Sequence, residues 1–318
     1  MSGKKTPSTM MSASRLPSLL GLSKYMTPND ELHMSISALK GELNNFEQNE
    51  AMAWGDRLEE IILLETGKRL QLTELQTEFS SAFYHATLPL ACSLDGYADG
   101  RGQVIKNDHD AGIFVIGADQ IVLDGFGVLE AKLTSVQAEE IPALYRGPVQ
   151  LQAQMDIMQA KWGAVSVLYR GTELRIFLFE PHQQTLATIK QAVLDFQDKL
   201  EKYKATGAVD FYPPATSDDA DRMYPSAAGE SIVLDVEAEL LADKIVDAKS
   251  RITAAEKDRA DAEKDLKTML KTAPKGIAGK YEISWPMRNY AAQAQKIVKA
   301  KDAYSIRQST LAIKEFKK

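Results

Sequence analysis

The chain has 318 residues, 44% hydrophobic and 26% charged, which suits one substantial domain with an appendage. A net charge of −6 and a pI near 5.4 argue against a general nucleic-acid coat. The single cysteine, Cys92, excludes an intrachain disulfide and a four-cysteine iron–sulfur cluster, and no apolar run approaches the about 20 residues that cross a bilayer.

In chain order, Met1 to Met10 are polar and lack the apolar stretch of a secretion signal, so residues 1–11 are expected to be a disordered tail of a cytoplasmic protein with no membrane partner. A helix follows from Ser14 to Gly21, and Pro28 opens a second to about Leu43. Residues 51–70 read as an amphipathic helix with Leu58, Ile61 and Ile62 on its apolar stripe and Glu59 beside it. Strands are predicted at 72–80, 88–94, 113–122, 127–133, 164–169 and 174–180. A Gln-rich helix near 148–162 falls between two of them, as a crossover that makes its flanking strands parallel. A helix over 183–204, with Ile189, Val193, Phe196 and Leu200 at helical steps, closes a domain spanning 12–206. The fold class is α/β, a mixed sheet flanked by helices.

Residues 207–229, with Pro213-Pro214, Pro225 and a run of Asp and Ser, have the composition of a linker, which Phe211 and Tyr212 could still order against the core. An extension over 230–318 follows. Leu234, Leu241, Ala248, Ala255, Ala262 and Met269 recur every seven residues, and Ala238, Ile245, Ile252 and Leu266 supply a second seam that Arg259 interrupts. That pattern fits a coiled coil, or a long helix lying on its own domain. Pro274 and Gly276 end the helix, residues 280–285 read as a strand, and the tail 296–318 is basic.

Chemistry concentrates in four places. In Gly127-Val-Leu-Glu-Ala-Lys-Leu133, Glu130 and Lys132 emerge side by side on one face of an apolar strand, either as a structural ion pair or as half of a metal-dependent nuclease site. Asp95 ends another apolar run before Gly96; it fits a second metal ligand or an Asp-Gly turn. Glu59 on its helix is either a third acidic group or a solvated one. Gln150, Gln152 and Gln154 crowd the apolar face of their helix, which is costly unless they bond something; the alternative is an ordinary polar face.

In this order the motifs resemble those of the YqaJ-like viral recombinases, the phage exonuclease family of the PD-(D/E)XK nuclease class. Ser12-Ala-Ser-Arg15, Leu20-Gly21, Ser23, Tyr25 and Thr27-Pro28 are similar to the family's opening signature. Trp54-Gly55 with Glu59, Leu94-Asp-Gly96, Leu129-Glu-Ala-Lys132 and Gln150-Leu-Gln-Ala-Gln-Met155 match its next four motifs. Ser284-Trp285 and Ser305-Ile-Arg307 match a tail motif more weakly.

The resemblance implies a PD-(D/E)XK core holding Mg²⁺, with Mn²⁺ as the alternative, and no ATP. Asp95, Glu130 and the Ala131 carbonyl would ligate the metal, Glu59 would assist, Lys132 would orient water, and Gln152 would sit beside the site. Ser14 and Arg15 would contact a terminal 5′-phosphate; Arg15 could equally be a solvated helix-start residue. Asp95 and Glu130 are farther apart in sequence than in the family's usual hairpin, with an exposed loop inserted over 99–110, so Asp119 or Asp124 competes for the place of Asp95.

Implied activity is 5′-to-3′ digestion of linear duplex DNA ends, leaving 3′ single strands for an annealing protein, with a ring-shaped homo-oligomer around the DNA. An endonuclease of the same class, acting on internal or branched DNA, is the second reading. A non-catalytic module binding DNA ends or a recombination partner is the third.

Overall fold

The computed structural model describes residues 6–42, 48–226 and 231–287. It divides into two compact units, with the boundary between Met223 and Tyr224. The first contains β1 (Met11–Ser12), α1 (Leu16–Leu19), α2 (Pro28–Leu39), α3 (Glu50–Arg69), β2 (Thr73–Gln76), β3 (Phe83–Tyr84), β4 (Leu90–Cys92), β5 (Gly96–Asp99) and β6 (Gln103–Lys106). It continues with β7 (Ile113–Val115), β8 (Gln120–Leu123), β9 (Phe126–Thr134), α4 (Pro148–Met158), β10 (Gly163–Tyr169), β11 (Glu173–Phe179), α5 (Gln183–Thr206) and α6 (Ser217–Met223). The second holds α7 (Val236–Leu270), β12 (Lys275–Ala278) and β13 (Tyr281–Ser284).

A mixed sheet of six strands, in the order β2-β5-β9-β10-β11-β7, is flanked by helices. The crossover through α4 makes β9 and β10 parallel, with Glu130 beside Val165 and Lys132 beside Val167. Alternation along the strands builds two apolar layers. Val128, Val165, Val167 and Phe177 pack with Leu151 and Met155 of α4 and Val193 and Phe196 of α5. Leu129, Ala131, Ala164 and Ile176 instead join Ile62 and Leu63 of α3 and the buried ring of Trp162. Glu130, in step with Val128, therefore belongs to the layer facing α4.

Gly147 sets how closely α4 approaches the sheet. It caps the helix at φ 118°, a conformation side chains rarely adopt, and a Cβ there would lie 2.7 Å from Val165. Pro148 follows at the first helical turn, where its missing N–H costs nothing.

Several sequence expectations are corrected. The tail predicted for 1–11 is not free throughout: Thr6 is buried, and Met11 is a core residue in β1, paired with β4. The helix from Pro28 ends at Leu39 rather than near Leu43, because Gly41 takes φ 75°; Leu43 lies outside the described residues. The strand expected over 113–122 is two, β7 and β8, parted at Gly117 with φ 84°. The loop expected over 99–110 is exposed along most of its length, but part of it is regular, with β6 pairing antiparallel to β8.

The segment after α5 is ordered against α2. Asn29 Nδ2 donates to the Tyr212 carbonyl (3.1 Å), and Tyr212 N–H donates to Asn29 Oδ1 (2.8 Å). Thr27 Oγ1 donates to the buried carboxylate of Asp219 (2.8 Å), and Arg222 pairs with Asp30. These bonds carry the first unit to Met223, past the boundary that composition alone places at Thr206. In the second unit Asp235 caps α7, whose 35 residues include none that is buried, and β12 and β13 form a hairpin after it. The basic tail 296–318 and Ser305 to Arg307 lie outside the described residues.

Candidate active site

The antiparallel pairing of β5 with β9 places Gly96 opposite Leu129, which brings Asp95 to the ExK segment. Asp95 Oδ2 accepts the backbone N–H of Ala131 (3.0 Å). Asp124 is instead exposed and paired with Lys161, and Asp119 is exposed. The extra sequence between Asp95 and Glu130 is taken up by the β6–β8 arm and β7, leaving the junction itself intact.

Glu130 is fully buried, and one of its oxygens pairs with the ammonium of Lys132. The other, Oε2, accepts from Gln154 Nε2 (2.7 Å), which also donates to the Ser93 carbonyl (3.1 Å). Gln154 Oε1 is buried with no hydrogen-bond partner among the described residues. Glu59, from α3, acts electrostatically on both Asp95 and Lys132. All four ionisable groups, with Ala131, Gln150 and Ser14, line one cavity of about 800 Å³.

Three carboxylates thus share one cation. Burial, reinforced by the Glu130 and Glu59 charges, pushes the Asp95 carboxyl well above the ordinary carboxylate range, against the pull of Lys132. Burial also works against the Lys132 ammonium, but Glu130, Asp95 and Glu59 together outweigh it and hold its pKa above the usual lysine value. The same burial, with Glu130 nearby, raises the Cys92 thiol to about 12, so it stays protonated and inert.

Gln152 is not part of this cluster, correcting the place expected for it. Its Nε2 donates to the Glu180 carbonyl (2.9 Å) and its Oε1 accepts from His182 N–H (2.7 Å), tying α4 to the start of α5. Residues four apart share a helix face whereas residues two apart do not, so Gln150 and Gln154 face the cavity side together. Arg15 is likewise not displayed to a ligand. Its guanidinium is buried, and every nitrogen is engaged: Nε with Glu31, Nη2 with the Glu31 carbonyl and Ser35, Nη1 with the carbonyls of Ser8 and Met10. No donor is left for a phosphate. Ser14, by contrast, is exposed and lines the cavity.

Comparison with known families adds one decisive match, to the YqaJ-like viral recombinase domain over residues 5–161. Residues 5–161 are a YqaJ-like viral recombinase domain. All the residues of the site fall within the match. Among solved structures the chain is similar to an alkaline exonuclease of Laribacter hongkongensis, at 18% identity and a TM-score of 0.44 over 63% of this chain and 95% of that one. The same exonuclease in complex with dAMP aligns at 16% identity and a TM-score of 0.45, covering 61% of this chain and 89% of that one. A phage-related exonuclease of Haemophilus somnus 129PT aligns at 13% identity and a TM-score of 0.42, covering 63% and 96%. No curated protein matches the chain.

Around the cavity Glu59, Asp95 and Glu130 offer carboxylate oxygens. Among the described residues no group of three or more His, Cys, Asp or Glu side chains stands close enough to hold a metal by itself. A hard divalent cation that keeps several waters needs less: two carboxylates and a carbonyl serve. Asp95, Glu130 and Ala131 fit that description, and a cation there would relieve the excess negative charge that raises Asp95.

Sequence reading missed the cavity rim. Lys24 Nζ lies over the rings of Tyr25 (5.2 Å) and Tyr145 (5.7 Å), and Tyr25, itself lining the cavity, is 75% exposed. A lysine followed by a tyrosine was the available signal; the Tyr145 partner, far along the chain, was not visible. Among the described residues no helix is long and apolar enough to cross a membrane.

Proposed function

We propose that the protein is a metal-dependent deoxyribonuclease that degrades linear double-stranded DNA from its ends, 5′ to 3′, leaving 3′ single strands for recombination by annealing. The observation that carries this reading is the meeting of Asp95, Glu130 and Lys132 in one cavity with an excess of carboxylate over ammonium. Mg²⁺, or Mn²⁺ in its place, would supply a Lewis acid for the phosphate and a lower pKa for adjacent water. The residues do the rest. Asp95 is fixed by the Ala131 N–H and Glu130 by Gln154, so both carboxylates are oriented before any ligand arrives. Lys132 carries its positive charge to the cavity, where it opposes charge building on a scissile phosphate. Lys24 and the exposed Tyr25 ring give the rim a cation and a stacking surface suited to a nucleic-acid strand.

Ring assembly around the duplex and an annealing-protein partner belong to the same reading. The endonuclease reading gains from the placement of Arg15, which leaves Ser14 alone of the two residues available to a 5′-phosphate.

The test is digestion of linear 5′-phosphorylated duplex DNA beside closed circles, with Mg²⁺ and with EDTA, for wild type and Glu130→Gln. Loss of the linear substrate alone, abolished in the variant and in EDTA, is the expected result. Cutting of circles would establish the endonuclease, and cleavage of neither substrate would leave a binding module. Thermal unfolding gives a readout apart from activity. Mg²⁺ should raise the Tm of wild type, whereas Asp95→Asn should melt about 2–6 °C higher than wild type in EDTA and gain nothing from Mg²⁺.

A further inference from the structure

Helix α7 has an apolar seam, and among the described residues none of its side chains is buried. Leu241, Ile252, Leu266 and Met269 are 53%, 58%, 36% and 76% exposed, although all four fall on the two seam positions of one seven-residue repeat. A 35-residue helix about 52 Å long with no buried residue gains little tertiary support among the described residues; Trp285, whose ring lies 5.7 Å from Lys267 Nζ, touches it near its C-terminal end. We propose that the seam is filled by the α7 of a second copy of this chain, lying antiparallel.

One antiparallel register satisfies size, charge and length together. With Ile252 set opposite Ala255 of the other copy, the next layers outward are Ile245 on Ala262, Arg259 on Ala248, Leu241 on Leu266 and Ala238 on Met269. Four of these five layers set a large side chain against an alanine, so the backbones approach closely and evenly; the fifth is Leu on Leu. Arg259, which breaks the apolar seam in a single helix, reaches past Ala248 to solvent and disfavours other registers, as polar seam residues do.

The flanking charges agree with that alignment. Arg251 faces Asp258 of the other copy, Lys244 faces Asp265, and Lys249 faces Glu256, each pair occurring twice by symmetry. A parallel alignment in register would instead set Lys244 against Lys249 and Asp258 against Glu263, leaving only Arg251 with Glu256 attractive. The symmetry point of the antiparallel register falls between Thr253 and Ala254, at the middle of the helix from Val236 to Leu270, so the two copies overlap along nearly their whole length. Neither the charges nor the layer sizes require that overlap, so it supports the register independently. This pairing holds whether or not the first unit cuts DNA.

Disulfide trapping in the full-length chain tests it, since the natural Cys92 is buried. Leu241→Cys and Leu266→Cys together should give a covalent dimer on oxidation, or each single variant when the two are mixed. Either single variant alone should give none, because each cysteine meets its own copy about 37 Å away. Covalent dimer from a single variant would mean parallel pairing and overturn the proposal. No covalent product in any variant, with helix content retained by circular dichroism, would overturn it in favour of a different occupant. A charge exchange checks the register without touching the seam. Asp258→Arg should weaken dimerisation about tenfold, by sedimentation, and Arg251→Asp/Asp258→Arg should restore it to within about threefold of wild type. In a parallel pair Asp258→Arg would strengthen association, since the introduced guanidinium would meet Glu263.

Discussion

Glu130 is fixed from two sides, by Lys132 on its own strand and by Gln154 across the layer, and the second contact separates positioning from chemistry. Gln154→Ala removes the amide that holds Glu130 and leaves the carboxylates in place. Cleavage by the folded fraction should fall about 10–100-fold, as losses of residues that orient metal ligands do, beside a stability loss of about 1–3 kcal/mol from the buried acceptors left unmet. Gln152→Ala is the converse. It leaves the His182 N–H without its acceptor and should lower stability by about 1–3 kcal/mol in urea unfolding, while the folded fraction cuts normally. Equal loss of cleavage in both would mean that the two glutamines do not divide between site and scaffold. The ExK pair, Asp95 and Glu59 were legible in the sequence because each stands in a short local pattern. Helical spacing alone also separates Gln152 from Gln150 and Gln154, although the motif match pointed to Gln152. Arg15 was not legible. Its partners Glu31 and Ser35 lie a whole helix away, so nothing local shows that its guanidinium is already saturated.

At the scale of elements, β9, α4, β10 and β11 followed from apolar alternation and from the crossover that a helix between strands imposes. The strands β5 and β6 were missed because Gly96, Gly100 and Gly102 read as loop, whereas the pairing that makes them strands comes from β9 and β8. The far end of β10 carries a second polar cluster, partly buried. Tyr169 donates to Glu139 (3.1 Å), which also pairs with Arg146. Burial, with Glu139 adding to it, raises the Tyr169 phenol to about 12. An unfolded tyrosine ionises near 10, so between about pH 10 and 12 the folded state holds the proton more tightly than the unfolded chain does. The stability this represents is complete below pH 10 and is lost as pH rises towards 12. Tyr169→Phe should therefore flatten that part of the alkaline stability curve, measured by urea unfolding at successive pH values. An unchanged alkaline limb would show that the phenol does not titrate against the fold.

For the whole molecule, the question is where the cleaving unit ends. Composition puts a linker from residue 207, with Pro213-Pro214 and an Asp-rich run, which Phe211 and Tyr212 could still order against the core. Three-dimensional packing overrides this, because polar residues of α2 find their partners there: Thr27 in Asp219, Asn29 in Tyr212, Asp30 in Arg222. Asp219 is completely buried, and Tyr212 lies under Lys199 Nζ of α5 at 4.6 Å from the ring centre. A chain cut after Thr206 would strip those partners from the same helix that anchors Arg15 through Glu31 and Ser35. It should lose about 2–4 kcal/mol of stability relative to a chain cut after Met223, the sum expected for a few buried hydrogen bonds left unmade. The longer piece should unfold in one cooperative transition and keep the metal-dependent activity of the full chain, because every group of the candidate site lies within it. It should also lose the α7-borne dimer. Matched melting curves for the two truncations would show that residues 207–223 contribute nothing to the domain. Loss of cleavage in the longer piece would show instead that the second unit is needed for catalysis.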